Sequence, residues 1–421
     1  MSQHVRESPF PRPFLEYYGC VVRSVSKVGF TVSQSDVPVV SIVKCAAYDN
    51  VEEIAPFVRS ACDLVGGLES VIMPGDTVLI KPNLVLPYAY QTGATTNPNL
   101  VEALAIQCRE KGAKRIVIGD GSCVGSDTEQ AFDACGYRAM AERIGAELVD
   151  FAKAESTYVV NPLAKKMKRI AIPNAFIEAN VVIDIPVMKT HDSLEVSLGL
   201  KNMKGILQTR DKKRFHKWGL AQSIVDLNQI ARPDLTVMDA TVAMEGSGPA
   251  SGDPVNLGLL LASKDVVAVD AVAIEVMGFG LDEVDYVALA AKSGIGCADL
   301  SQIEIEGEPI ASVKRPFART SIDPAVLADA GIELVACDAC SGCANALSNF
   351  MGMLVKMGAL EGMRDTVFLY GQSVEELPEE RTAGKRVIRV GSCTRKLVGY
   401  GHYLPGCPPY PYHMMSDLGL E

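Results

Sequence analysis

The chain has 421 residues, of which 48 % are apolar and 22 % charged, and its formal net charge is −11. That is the composition of a globular protein of two or three domains, too acidic to offer a nucleic acid a domain-wide basic surface. No apolar run reaches bilayer length and Met1–Arg6 leads into no secretory segment, so a cytoplasmic protein without a membrane span is expected.

Residues 1–37, with Pro9-Phe-Pro11-Arg-Pro13 and Phe14-Leu-Glu-Tyr17-Tyr18, read as an N-terminal arm. Val39–Lys44 is a β-branched run and hence a strand. Val51–Val65 has apolar residues at helical spacing and stops at Gly66-Gly67. The turn Pro74-Gly75-Asp76 precedes a strand at Thr77–Lys81. Asn97-Pro98 opens a helix to Lys111, with asparagine as cap and proline in the first turn. Arg115–Gly119 is a strand ending at Asp120-Gly121-Ser122.

Helices then follow at Thr128–Cys135, Arg138–Ile144, Ala221–Ala231 and Val266–Met277, and strands at Glu147–Asp150, Asn180–Ile185, Leu235–Asp239 and Leu257–Ala262. Such alternation indicates an α/β fold with a largely parallel sheet flanked by helices. The pattern breaks around Ile303–Arg319, which places the core domain at 38–320. A smaller cysteine-rich α/β domain follows at 321–421, with a helix at Cys343–Gly358 and a strand at Val387–Val390 delivering Cys393.

Ligands of open α/β sheets bind beyond the carboxyl ends of the strands. The polar residues of this chain fall there: Lys81, Asn83, Thr96, Asn97, Asp120, Lys189, His191, Lys201, Asn202 and Lys204. Lysines gathered in an acidic protein build a local positive site for a carboxylate or phosphate, and the helix opening at Asn97 offers free N–H groups to the same anion. His191 and His216 exchange protons near neutral pH, and Lys201 does so if buried. The competing readings are ordinary. Lys212–Lys217 reads as a solvated basic loop, and Asp120 and Asp239 as caps or turn-closers. Glu245–Gly252 reads as a mobile loop rather than a phosphate cradle. The dinucleotide, phosphate-loop, zinc-protease and serine-hydrolase signatures are all missing.

Five of the twelve cysteines lie in Cys337-Asp-Ala-Cys340-Ser-Gly-Cys343, Gly391-Ser-Cys393 and Leu404-Pro-Gly-Cys407-Pro-Pro409. Two-residue gaps let neighbouring thiolates converge on one soft metal centre. The expected cofactor is a 4Fe–4S cluster held by Cys340, Cys343, Cys393 and Cys407, with Cys337 as the alternative ligand. Structural zinc is the rival, since four thiolates also satisfy a tetrahedral ion. Plain core packing and disulfides are weaker readings. Oxygen-sensitive thiolates would suit an anaerobic setting.

Lys81-Pro-Asn83, Asp120-Gly121, Pro186-Val-Met-Lys189-Thr-His191 and Leu200-Lys-Asn-Met-Lys-Gly205 resemble the domain-of-unknown-function family numbered 362, over roughly residues 38–305. That resemblance implies an architecture and an association with iron–sulfur segments, and no particular reaction. Cys340-Ser-Gly-Cys343 and Leu404-Pro-Gly-Cys407-Pro-Pro409 are similar to the cluster-binding pieces of hydrogenase small subunits, which implies cluster ligation by Cys340, Cys343 and Cys407. The Gly199–Gly205 segment is distantly similar to the N-terminal domain of nickel-pincer lactate racemases, which implies acid/base roles for His191, His216 and Lys201.

Three functions are therefore carried forward. One is a redox or acid/base enzyme acting on a small anionic substrate. The second is a non-catalytic electron carrier or cluster-assembly partner that docks to a redox protein. The third is a structural-zinc protein whose chemistry lies in the α/β domain. Assembly into a homo-oligomer stays open.

Overall fold

The structure is a computed structural model and describes residues 37–319 and 324–420. The expected N-terminal arm, but for Val37, lies outside the described residues, as does the stretch 320–323 where the domain boundary is expected.

The first four strands are β1 (Val39–Lys44), β2 (Thr77–Pro82), β3 (Arg115–Asp120) and β4 (Glu147–Asp150). Then β5 (Ser156–Val160) and β6 (Arg169–Pro173) pair with each other as a separate antiparallel ribbon. The core continues with β7 (Val181–Ile185), β8 (Val187–His191), β9 (Glu195–Ser197), β10 (Leu235–Glu245), β11 (Asp253–Ser263) and β12 (Glu304–Gly307). In space the main sheet runs β12-β1-β11-β10-β7-β2-β3-β4, with β8 beside β10 and β9 beside β8. From β10 to β4 every pairing is parallel, and β11 is antiparallel to both its neighbours.

The central strands are apolar on both faces because helices cover both. Val78 and Ile80 of β2, Ile116 and Ile118 of β3, and Val181 and Ile183 of β7 pack on the side of the Val51–Asp63 and Pro98–Glu110 helices. The intervening Leu79, Val117 and Val182 pack on the side of the Leu220–Asn228 and Val266–Val276 helices. This period of two puts Lys81 opposite Asp184 on adjacent parallel strands. The carboxyl ends of β2, β3 and β7 thereby share one edge.

β10 and β11 are longer than their apolar runs suggest and pair out to Glu245 and Asp253. The Glu245–Gly252 run is thus the turn of a hairpin. It lies against β8: a Cβ on Gly248 would come within 2.1 Å of the Thr190 carbonyl oxygen.

The C-terminal unit is a second, wholly parallel sheet of β13 (Glu333–Ala336), β14 (Thr366–Tyr370), β15 (Arg386–Val390) and β16 (His402–Leu404). The Ser341–Met357 helix buries Phe350, Met351 and Leu354 with Phe368, Ile388 and Val390 of this sheet. Its other side meets the core. Lys356 donates to the Ser251 carbonyl at 2.6 Å and to Asp253 Oδ1 at 2.9 Å, and Ser341 Oγ lies 3.1 Å from His216 Nδ1.

Candidate functional site

At the shared strand edge Lys81 and Asp120 form an ion pair of 2.9 Å with side chains 0 % and 3 % exposed. A pair so far from water persists only when its remaining valences are met. Lys81 also donates to the Pro82 carbonyl at 2.9 Å, and Asp120 Oδ2 accepts from the Leu84 N–H at 2.6 Å. Gly205 makes room for the pair: a Cβ there would sit 2.1 Å from Asp120 Oδ1 and 2.6 Å from Lys81 Nζ.

Beside the pair runs a relay of amides whose orientation the donors dictate. Lys189 Nζ donates to Asn83 Oδ1 at 3.0 Å, Asn83 Nδ2 to Asn202 Oδ1 at 2.8 Å, and Asn202 Nδ2 to Asp184 Oδ1 at 2.7 Å. Asp184 Oδ2 has no protein partner. Burial, only partly offset by the Lys81 charge, pushes the Asp184 carboxyl up to about 7.

Above these groups lies a cavity of about 210 Å³. Asn83, Asp120, His191, Lys201, Asn202, Lys204 and His216 line it from the core. Lys81 and Lys189 lie just beneath as supports, joined to it through Asp120 and Asn83. Thr96 and Asn97 do not line it. Thr96 Oγ1 donates to the Ile185 carbonyl at 2.8 Å, and Asn97 caps its helix by accepting from the Asn99 N–H at 3.0 Å. The Asn97 N–H is itself taken by Asp239 Oδ2 at 2.8 Å, which confirms Asp239 as a structural acceptor.

The 212–217 stretch is not a solvated loop. It belongs to the Thr209–Trp218 helix, whose inner face buries Lys212 while Lys213 and Lys217 stay exposed. Lys212 Nζ donates to the Gly121 and Ser122 carbonyls at 2.6 and 2.8 Å and lines the cavity. A run of lysines looks solvated in sequence, and only the helical phase shows which one turns inward.

Burial lowers Lys201 and Lys212 to about 8, with nearby Asp192 and Asp120 respectively holding the ammonium forms up. Lys204 falls well below the ordinary lysine range, through burial and then the charges of Lys201 and Lys212. His191 is lowered to about 4 by burial and Lys201. The cavity is therefore crowded with basic groups that hold one another's charge down, a field that an entering anion relieves.

The opposite wall comes from the C-terminal unit: Gly342, Asn345, Ala346 and Asn349 of the helix and Pro408 to Pro411 after Cys407. Around this wall the cysteines gather. Burial pushes the Cys343 thiol up to about 12, and Cys340, Cys407 and Cys393 add to the rise through their charges. Cys407 and Cys340 act likewise on Cys393. The Gly391 N–H donates to the Leu404 carbonyl at 2.9 Å and the Ser392 N–H to the Gly406 carbonyl at 2.6 Å, so the loops bearing Cys393 and Cys407 are stitched together. Gly391, at φ +89°, cradles Cys343: a Cβ there would lie 2.6 Å from its sulfur. Burial, then Cys343 and then Cys337 raise the Tyr370 hydroxyl, so Tyr370 has both cysteines as neighbours. Among the described residues no group of three or more His, Cys, Asp or Glu side chains closes around a single ion. The donor set fits an iron–sulfur cluster in kind, thiols being its ligands: Cys340 and Cys343 stand at the start of the Ser341–Met357 helix, half-buried and buried, and Cys393 and Cys407 are exposed on the stitched loops.

Three residues lining the cavity carry no signal in the sequence. Asp192, Asn345 and Asn349 lack a spacing that marks them, and Asn345 and Asn349 reach the cavity only because the C-terminal helix docks on the core.

Residues 78–275 match the family described as Domain of unknown function (DUF362). The DUF362 stretch contains Lys81 to His216, hence the whole lysine wall, and stops short of the cysteine loops. A thylakoid-associated protein of Synechocystis sp. is 29 % identical over 263 residues, 61 % of this chain and 79 % of that relative. Among solved structures, the lactate racemase apoprotein from Thermoanaerobacterium thermosaccharolyticum aligns at a TM-score of 0.39 and 12 % identity, over 87 % of this chain and 86 % of that one. No helix among the described residues is long and apolar enough to cross a membrane.

Proposed function

We propose that the protein is an iron–sulfur enzyme acting on a small carboxylate or phosphate held in the cavity between the DUF362 stretch and the C-terminal unit. One observation carries this reading: the same cavity is walled by Lys201, Lys204 and Lys212 on one side and by Gly342 and Pro408, the neighbours of Cys343 and Cys407, on the other. Substrate charge would lie on the lysines. His191 would take the proton, since it lines the cavity and is neutral near pH 7. Cys340, Cys343, Cys393 and Cys407 would hold a 4Fe–4S cluster. When bound, such a cluster supplies one-electron chemistry or polarises a substrate oxygen.

The test is anaerobic purification with iron, zinc and acid-labile sulfide analysis and electron paramagnetic resonance after reduction. Brown protein holding iron and sulfide is expected, retained in Cys337→Ser and lost in Cys340→Ser, Cys343→Ser, Cys393→Ser and Cys407→Ser. Colourless protein with one zinc would overturn the cluster and leave an anion-binding α/β domain with a structural zinc.

A second reading, an electron carrier, is favoured by the exposure of Cys393 and Cys407, which would bring a cluster edge to the surface. In that case His191→Ala with Lys201→Ala leaves electron transfer to a redox partner intact, whereas the enzyme loses turnover.

A further inference from the structure

We propose that the β5–β6 ribbon and the outer face of the Thr209–Trp218 helix form a docking surface for an anionic lipid bilayer, with Val160, Leu163 and Trp218 entering its headgroup layer. None of these three residues lines the anion cavity, and the proposal does not depend on what that cavity binds.

The chain is acidic, with a net charge of −11, yet no acidic residue occurs from Ser156 to Pro173. Lys165, Lys166, Lys168 and Arg169 stand there, all exposed. The carboxylates of Asp226 and Asp211 that touch the ribbon are buried beneath it. Asp226 accepts from the backbone N–H groups of Lys165, Lys166 and Met167 at 3.2, 2.7 and 2.7 Å, so it fixes the turn and not the ammonium groups. Asp211 accepts from the Ala171 N–H at 3.1 Å and pairs with Arg214 at 2.7 Å.

In the ribbon Val160 is opposite Arg169 and Tyr158 opposite Ala171. The period of two sends Val159, Ile170 and Ile172 toward the core and leaves Val160 outside, 64 % exposed. Leu163, in the turn between the strands, is 53 % exposed. The surface continues onto the helix without a break. Arg169 lies 4.0 Å over the Tyr158 ring, and Arg210 donates to the Tyr158 hydroxyl. Arg214 donates to the Arg169 carbonyl at 3.3 Å and lies 4.4 Å over the Trp218 ring.

These contacts decide the kind of partner. The arginines, which recognise carboxylates by a directed fork, are already engaged with Tyr158, Trp218 and Asp211. The lysines remain, point charges on long stems that suit a diffuse negative surface. Their stems let the ammonium groups stay level with lipid phosphates while the apolar tip sinks deeper, and tryptophan favours that same boundary. A nucleic acid backbone would meet the lysines and offer nothing to Val160 and Leu163.

The experiment is flotation of the full chain with phosphatidylcholine vesicles, with and without phosphatidylglycerol. Trp218 is the single tryptophan of the chain, so its emission reports whether this face is the one that docks. Binding to the anionic vesicles alone is expected, weakened by salt and accompanied by a blue shift of the emission. Replacing the three lysines together (Lys165→Gln, Lys166→Gln, Lys168→Gln) should weaken binding roughly 100-fold, from about fivefold per lysine. Val160→Ser with Leu163→Ser should weaken it about tenfold. Melting temperatures should stay near wild type, since the turn is held through its backbone. Absence of binding to anionic vesicles overturns the proposal, as does binding with unshifted emission or binding that survives both sets of substitutions. Heparin binding as tight as vesicle binding, with both indifferent to Val160→Ser and Leu163→Ser, would mark a site for a soluble polyanion or acidic protein and overturn it too.

Discussion

Lys204 Nζ lies 2.7 Å from His216 Nε2, a contact that holds one proton between the two nitrogens rather than two. Both groups are shifted well below their ordinary ranges, each by burial first and then by neighbouring cations. The cavity thus keeps part of its cationic character unexpressed, and an anion is what would draw the protons back.

Anion binding should consequently weaken as pH rises through about 8, where Lys201 and Lys212 lose their protons in the ligand-free protein. The sign follows from the anion preferring the ammonium forms. Isothermal titration with phosphate and with a small carboxylate between pH 6.5 and 9.5 would check it. Tightening over this range would rule out a lysine-held anion.

Lys201 and Lys212 should part company on substitution. Lys201 Nζ donates to a single hydroxyl among the described residues, Ser197 Oγ at 3.0 Å, so Lys201→Met should lower anion affinity roughly 10–100-fold with little change in melting temperature. Lys212→Met would strand two buried carbonyls and should cost about 1–3 kcal/mol for each of them, read by denaturant unfolding.

Asp184→Asn should stabilise the protein at neutral and alkaline pH. The folded-state carboxyl is raised to about 7, so between the unfolded value and 7 the native state binds the extra proton and wild-type stability falls as pH rises. Asparagine does not titrate. Its advantage should be small near pH 4 and grow to at most roughly 4 kcal/mol above pH 7, from 1.36 kcal/mol per pKa unit. Parallel urea curves at pH 4.5 and 8 would reveal a variant with a pH-independent effect, contrary to this expectation.

Asn97→Ala separates capping from ligand binding. It removes the acceptor for the Asn99 N–H and should cost about 1 kcal/mol of stability, leaving phosphate affinity unchanged. A fall in affinity at unchanged stability would return Asn97 to the anion site.

The sequence by itself determined the layered α/β core, because strands buried on both faces must be continuously apolar, as Val78–Ile80 and Val181–Ile183 are. It also marked the strand ends as the functional edge, since Lys81, Asp120 and Lys189 stand where apolar runs stop, and it marked the cysteines by their spacing. What only tertiary structure decided is which of these groups meet. Lys212 turns inward by helical phase, Thr96 and Asn97 are consumed by backbone partners, and Asn349 reaches Asp192 from 157 positions away. Local periodicity reports burial along one element. Contacts between elements depend on how the second sheet docks on the first, and nothing in either segment alone encodes that distance.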